Sequence, residues 1–218
     1  MIKSISFSQD EILKNIVNLH TGPIQADVTY GSGCFYKPPK AIAQANIIGE
    51  AVANIYQTPI LARPKFCFDL APRKPGVISA DVRHLPLKDA CLRSVMFDPP
   101  FMARTGPGAT LKERFGELVG TIKDLWSFYF RSMKEIHRVL TPGGWLVFKN
   151  QDGVLSGVNN FTHAEIYAMG KNIGFIPVDL FILLAKHRMT HPAHKRQVHA
   201  RKFHSYFWVF KKNSTRIW

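Results

Sequence analysis

Ser94-Val95-Met96-Phe97-Asp98-Pro99-Pro100-Phe101 is the stretch on which the fold turns. A short apolar run reads as a buried strand and stops abruptly at an acid followed by two prolines. Neither proline can donate to a sheet ladder, and each restricts the residue before it, so the chain must leave the sheet rigidly at Asp98. Working outward, the segments alternate. Upstream, Ile24 to Tyr30, Lys65 to Leu70 and Val77 to Asp81 read as strands. Ser8 to Leu19 reads as a helix with a cap-like Ser8-Gln9-Asp10-Glu11 start, and Ala41 to Tyr56 as a second helix. Downstream, apolar residues at three- and four-residue intervals make a helix within Leu111 to Leu140, which Thr141-Pro142-Gly143-Gly144 stops before the strand Trp145 to Phe148. Thr162 to Ile173 is a further helix with Gly174 just past its end, and Val178 to Ala185 and Phe203 to Phe210 are the last strands. Strands alternating with helices, then a terminal strand pair, predict an α/β fold with a mostly parallel sheet covered on both faces.

The chain has 218 residues, 46% of them hydrophobic, enough for one sizeable domain. Without repeats or low-complexity linkers, residues 1–218 read as one domain, with a helical extension at 1–23, a mobile substrate loop at 102–117 and a basic loop at 186–202. Lys and Arg number 29 against 15 Asp and Glu, a net charge of +14 that speaks to partners rather than to fold. Polyanions are the natural partners. With no basic amphipathic helix, signal peptide or apolar run of about 20 residues, nucleic acid is favoured over a membrane, and the reading is soluble, intracellular and cytoplasmic. Cys34, Cys67 and Cys91 are scattered without CxxC spacing and read as reduced, mostly buried residues.

Asp98-Pro99-Pro100-Phe101 carries the sharpest chemistry. In open α/β sheets ligands bind at the carboxyl edge, where this tetrapeptide lies. An exocyclic amine on a base is a poor nucleophile because its lone pair is delocalised into the ring. A carboxylate and a backbone carbonyl can bond its two hydrogens and free that lone pair, and the prolines hold these acceptors in place beforehand. An aromatic ring at the fourth position offers a face for an extruded base. Read alone, the tetrapeptide serves equally as a rigid turn with Asp98 as a helix cap. Asp27-Val28-Thr29-Tyr30-Gly31-Ser32-Gly33 adds a glycine turn after a strand, open to a plain-turn reading but also to close approach of a ligand. Asp69 and Asp81 end the next two strands, suited to ribose hydroxyls and to an amino group, or else to capping.

Together these residues resemble the class I S-adenosylmethionine-dependent methyltransferases, and within them the amino-methyltransferases of nucleic acids. Asp27-x-x-x-Gly31-x-Gly33 is similar to their first cofactor motif, with Tyr30 inside it, and Asp69 and Asp81 to the acids of the second and third. Asp98-Pro99-Pro100-Phe101 resembles their catalytic motif in its adenine-favouring form, and Leu140 to Leu146 their helix-turn-strand hallmark. The resemblance spans Asp27 to Phe210 and is nearest to the short orphan DNA N6-adenine enzymes of bacteria and phages. It implies a Rossmann-like, seven-stranded sheet with one antiparallel strand, S-adenosyl-L-methionine as cofactor and transfer to adenine N6 in DNA. Methylation of RNA, or a catalytically silent fold that binds nucleic acid, are the alternatives. Two departures stand out. The interval from Gly33 to Asp69 is long, so a rival alignment puts the first motif at Phe68-Asp69-Leu70-Ala71-Pro72, which lacks Gly-x-Gly. No separate target-recognition domain precedes Asp98.

Sequence preference must then reside in loops. Arg104, Lys112 and Arg114 follow the catalytic motif, and Lys186, Arg188, Lys195, Arg196, Arg201 and Lys202 form an acid-free stretch suited to phosphates or, more plainly, to a solvated surface. His187, His191, His194 and His199 lack a Cys or carboxylate partner within that loop, so no metal is expected. No obligate protein partner is implied. The absence of a Pro-Cys dipeptide argues against covalent methylation at cytosine C5.

Overall fold

A computed structural model describes residues 1–36, 61–101, 121–155, 157–186 and 198–214. The helix expected at Ala41 to Tyr56, the substrate loop at 102–117 and most of the basic loop lie outside the described residues. So do Arg104, Lys112, Arg114, Arg188, Lys195 and Arg196.

In chain order the strands are β1 (Ile5–Ser6), β2 (Ala26–Asp27), β3 (Phe66–Asp69), β4 (Ile78–Ser79), β5 (Leu92–Phe97), β6 (Leu140–Asn150), β7 (Gly153–Leu155), β8 (Val158–Asn160), β9 (Phe175–Leu184) and β10 (His204–Lys212). Among the described residues the α-helices are α1 (Gln9–Ile16), α2 (Ile122–Val139) and α3 (Thr162–Ile173). Eight strands form one sheet in the order β4-β3-β2-β5-β6-β10-β9-β1. Only β10 runs against the rest, between β6 and β9, so the α/β Rossmann-like expectation holds. The rival alignment would seat β3 beside β5. Instead β2 occupies that place, bonded to β3 on one side and β5 on the other.

Two expectations are corrected. The sheet has eight strands rather than seven because Ile5 and Ser6 add a parallel edge to Ile182 and Leu183 of β9. The segment at 1–23 is therefore strand and helix together, a pairing too short to leave a period-2 signal. The glycine turn Thr141 to Gly144 does not separate helix from strand. Leu140 is already extended, and the turn is a bulge inside β6, where the register with β5 shifts between Leu92 and Ser94. The hairpin β7–β8 leaves little trace in the sequence, its few residues offering little alternation.

Helix ends explain themselves. Ser8 accepts the Glu11 N–H at the start of α1, and Thr121 and Asp124 form a reciprocal capping box at the start of α2. At the other end of α2, Lys212 of β10 donates to the carbonyls of His137 and Leu140 at 2.6 and 2.7 Å, a cation on the negative end of the helix. α3 stops at Gly174, which takes the left-handed conformation with φ 104°.

The two sheet faces carry separate cores. On one, Leu125, Tyr129, Met133 and Ile136 of α2 and Ile166 of α3 pack on Val95, Phe97, Leu146, Phe148 and Phe210. On the other, Ile12, Leu13 and Ile16 of α1 pack with Met96, Val147, Phe181, Phe207 and Val209. Alternation along β5 and β6 sends successive side chains to opposite cores. Of the cysteines, only Cys67 is buried, and Cys34 and Cys91 are exposed. Among the described residues no helix is long and apolar enough to cross a membrane.

Candidate active site

Because β2 to β6 are parallel, their carboxyl ends share one edge, and Asp27, Asp69, Asp98 and Lys149 all stand there. β2 continues past Asp27 by backbone bonds, Val28 N–H to Met96 and Tyr30 N–H to Phe68, before the chain turns at Gly31 and Gly33 with φ of 55° and 67°. A Cβ on Gly33 would stand 2.5 Å from the Tyr30 hydroxyl, so this close approach requires glycine. Asp69 pins the turn. Its carboxylate accepts the Gly31 N–H at 2.7 Å and the Ala71 N–H at 3.0 Å.

Asp27 is buried, and its two oxygens accept the Thr29 N–H at 2.9 Å and the Tyr36 hydroxyl at 2.8 Å. Burial pushes its carboxyl up to about 7, against those two bonds, with Asp98 and Asp69 adding to the push. The Tyr36 phenol is raised in turn, by burial and then by Asp27. Asp81 differs. Burial pushes it up, but a bidentate pair with Arg83 and the Arg83 N–H more than offset that, holding it below the usual carboxylate range.

Asp98 leaves β5 with its backbone N–H donated to Thr29 Oγ1 at 2.7 Å, which ties the start of Asp98-Pro99-Pro100-Phe101 to the strand that carries the glycine turn. Two residues on, the Pro100 carbonyl accepts the hydroxyl of Tyr129, a fully buried residue of α2. Lys149, the penultimate residue of β6, places its ammonium 3.6 Å from the Asp98 carboxylate. The same ammonium donates to Gln9 at 3.0 Å and lies 5.0 to 5.7 Å from the ring centroids of Phe35, Phe101 and Phe207.

Two openings flank this edge. One, a shallow crevice open to solvent, is lined by Val28, Thr29, Asp69, Leu70, Ala80, Asp81, Val82 and Phe128. Asp69 and Asp81 stand at its wall with apolar side chains between, and each carboxylate oxygen can accept more than one bond, which is the chemistry the hydroxyl and amino groups of a nucleoside call for. The other lies between Phe101, Ile122 and the β7–β8 hairpin.

Asp27, Tyr30, Gly31, Gly33, Asp69 and Asp98 are thus brought together, with Asp81 across the first opening. Phe101 faces the second. Of the basic residues expected to meet nucleic acid, Lys186, Arg201 and Lys202 are described, Lys202 lying 5.9 Å from the Phe161 ring centroid. Of the four histidines of the basic loop, His199 alone is among the described residues, bonded to the Gly157 carbonyl at 2.7 Å. Among the described residues no three His, Cys, Asp or Glu converge on a metal position. Sequence alone does not single out Thr29, Tyr36, Tyr129 or Lys149. Tyr129 falls within an apolar helix stripe, whereas Lys149 carries a signal, a charge at the carboxyl end of a buried strand.

No family model matches the chain, and no curated protein matches it in sequence. Solved structures do. A chain of the complex between the Haloferax volcanii Trm112 methyltransferase activator and a methyltransferase aligns with TM-score 0.50 and 12% identity over 92% of this chain and 88% of that one. TrmN from Thermus thermophilus aligns with TM-score 0.49 and 14% identity over 95% of this chain and 50% of its own. A candidate DNA modification methylase, also from Thermus thermophilus and complexed with S-adenosyl-L-methionine, aligns with TM-score 0.44 and 26% identity over 62% of this chain. That alignment takes in 54% of the methylase chain, so this protein spans about half its length. With the strand order above, the fold is that of the Rossmann-like class I methyltransferases.

Proposed function

We propose that the protein transfers a methyl group from S-adenosyl-L-methionine to an exocyclic amino group of a nucleic-acid base, adenine N6 in DNA in the first instance. The observation that carries this reading is the bond from Asp98 N–H to Thr29 Oγ1, which sets the acidic end of Asp98-Pro99-Pro100-Phe101 directly beside the crevice of Asp69 and Asp81.

When bound, the cofactor supplies an electrophilic methyl on a sulfonium. Asp69 would hold its ribose hydroxyls and Asp81 its adenine amino group, while Asp27, Tyr30, Gly31 and Gly33 shape the turn beneath it. Asp98 and the Pro99 carbonyl accept the two hydrogens of the target amine. Held in this way, the nitrogen would have its lone pair released from the ring and directed at the methyl that the bound cofactor would supply. The nitrogen afterwards sheds a proton to Asp98 or to water. Pro100 keeps the turn rigid, and Phe101 offers its ring to the extruded base.

The charge of +14 supports a nucleic-acid substrate. Lys186, Arg201 and Lys202, with Arg104, Lys112, Arg114, Arg188, Lys195 and Arg196, are its proposed phosphate contacts. The test is to incubate the protein with labelled cofactor and duplex DNA, single-stranded DNA or RNA, digest the products and identify the modified nucleoside. N6-methyldeoxyadenosine is the expected product. Label confined to RNA would move the substrate, and label in no nucleoside would overturn the proposal.

A further inference from the structure

Lys149 does not behave like a packing residue. Its side chain is only 13% exposed, at the foot of the catalytic edge, where an ammonium needs partners that a Leu or Met would not. Those partners are the Gln9 amide oxygen, three ring faces and the Asp98 carboxylate. Of these, Phe101 and Asp98 belong to the segment proposed to meet the base. A donor and an acceptor therefore stand side by side, 3.6 Å apart, over one aromatic face.

That pair has a chemical complement. In adenine the N6 amine is attached to the ring carbon that also carries N1, and in cytosine the N4 amine stands likewise beside N3. Each edge presents N–H and ring nitrogen together, a donor next to an acceptor. We infer that Lys149 is a base-recognition residue that donates to the ring nitrogen adjoining the target amine while Asp98 accepts from the amine itself. The inference rests on the amino-methyltransferase reading above and adds the substrate edge it recognises. Donation to the ring nitrogen draws electron density from the amine, so the contact serves binding and orientation, and Asp98 offsets it by bonding the amine hydrogen. In the free protein the Lys149–Asp98 pair keeps both charges partnered until a base separates them.

The test uses random-sequence oligonucleotides, as DNA and as RNA, made with adenine or 1-deazaadenine and, in parallel, with cytosine or 3-deazacytosine. The deaza bases keep the amine and lose the neighbouring acceptor. For whichever base accepts methyl, the wild-type kcat/KM should fall at least about tenfold on its deaza analogue, the size of one hydrogen bond to a charged donor. Lys149→Met should transfer to the parent base about tenfold more slowly and treat parent and analogue alike, which also controls for the altered basicity of the deaza amine. Lys149→Arg, retaining a donor, should keep part of the preference. A purely structural lysine would slow both substrates equally and leave the ratio untouched. Equal wild-type rates on parent and analogue, or an undiminished ratio in a folded Lys149→Met protein, would overturn the contact while leaving the methyltransferase reading standing. Absence of transfer to every library would overturn both.

Discussion

The Asp98 backbone N–H meets Thr29 Oγ1 at 2.7 Å, and Thr29 is itself fixed by its own N–H bonded to Asp27 at 2.9 Å. Residues at the ends of two adjacent parallel strands, far apart in sequence, thereby form one chain of bonds. The glycine turn and the Asp-Pro-Pro-Phe segment are tied together, and in the proposed reading this tie would fix the distance between a donor bound over the first and an amine bound over the second.

Thr29→Val tests that linkage. Valine keeps the branched shape but offers no acceptor, so the bond from the Asp98 N–H is lost. Stability should fall by about 1–3 kcal/mol. The value of kcat should drop by about 10–100-fold with cofactor affinity little changed, because displacement of the reacting groups is felt in the chemical step. Thermal unfolding and steady-state methyl transfer check the two effects separately.

Tyr129→Phe probes the other end of the turn. The Tyr129 phenol is pushed above its ordinary range, first by burial and then by Asp98, so it stays a donor to the Pro100 carbonyl throughout the working pH range. Its removal strands a buried carbonyl. Destabilisation of about 1–3 kcal/mol should accompany slower transfer. An unchanged melting temperature would show that the bond is not holding the turn.

Gly33→Ala should weaken cofactor binding. The added methyl meets the Tyr30 hydroxyl at 2.5 Å, and φ of 67° is strained for alanine, so the turn must open. Calorimetric titration with S-adenosyl-L-methionine should show a loss of at least about tenfold, equivalent to roughly 1.4 kcal/mol.

Asp27 gives a pH dependence with a definite sign. Its folded carboxyl is raised to about 7 from an ordinary 3.8, so the folded state holds the proton more tightly. The stability this contributes is full below about pH 4 and is lost as pH rises through about 7. Asp27→Asn removes the titration, so the variant should gain on wild type by a few kcal/mol between about pH 4 and 8. Taking the difference cancels His137, which burial and Lys212 lower to about 4 and which loses stability in the opposite direction as the solution is acidified below 6.5. Urea unfolding of both proteins across that range gives the slope.

Much of this is legible in the sequence for identifiable reasons. The central strands announce themselves as apolar runs ending in acids, and α3 is bounded by a glycine that only a left-handed residue could replace. What stays hidden depends on partners distant along the chain. Ile5 and Ser6 become a strand only because β9 offers a free edge. Thr29 and Tyr36 read as ordinary turn residues until folding brings them to Asp98 and Asp27. Lys149 is visible as a charge at a strand end, but its meaning comes from Asp98 and Phe101 arriving beside it. Gly170 likewise reads as one more small helix residue, yet a Cβ there would meet the Phe210 ring at 2.6 Å, which is why α3 lies so close on β10.

The most direct measurement is transfer of labelled methyl from S-adenosyl-L-methionine to DNA by wild type and by Asp98→Ala, with DNA binding followed in parallel. The account predicts label in N6-methyldeoxyadenosine for wild type, and for the variant no label but undiminished retention of DNA. Methyl transfer at the wild-type rate by Asp98→Ala would contradict it.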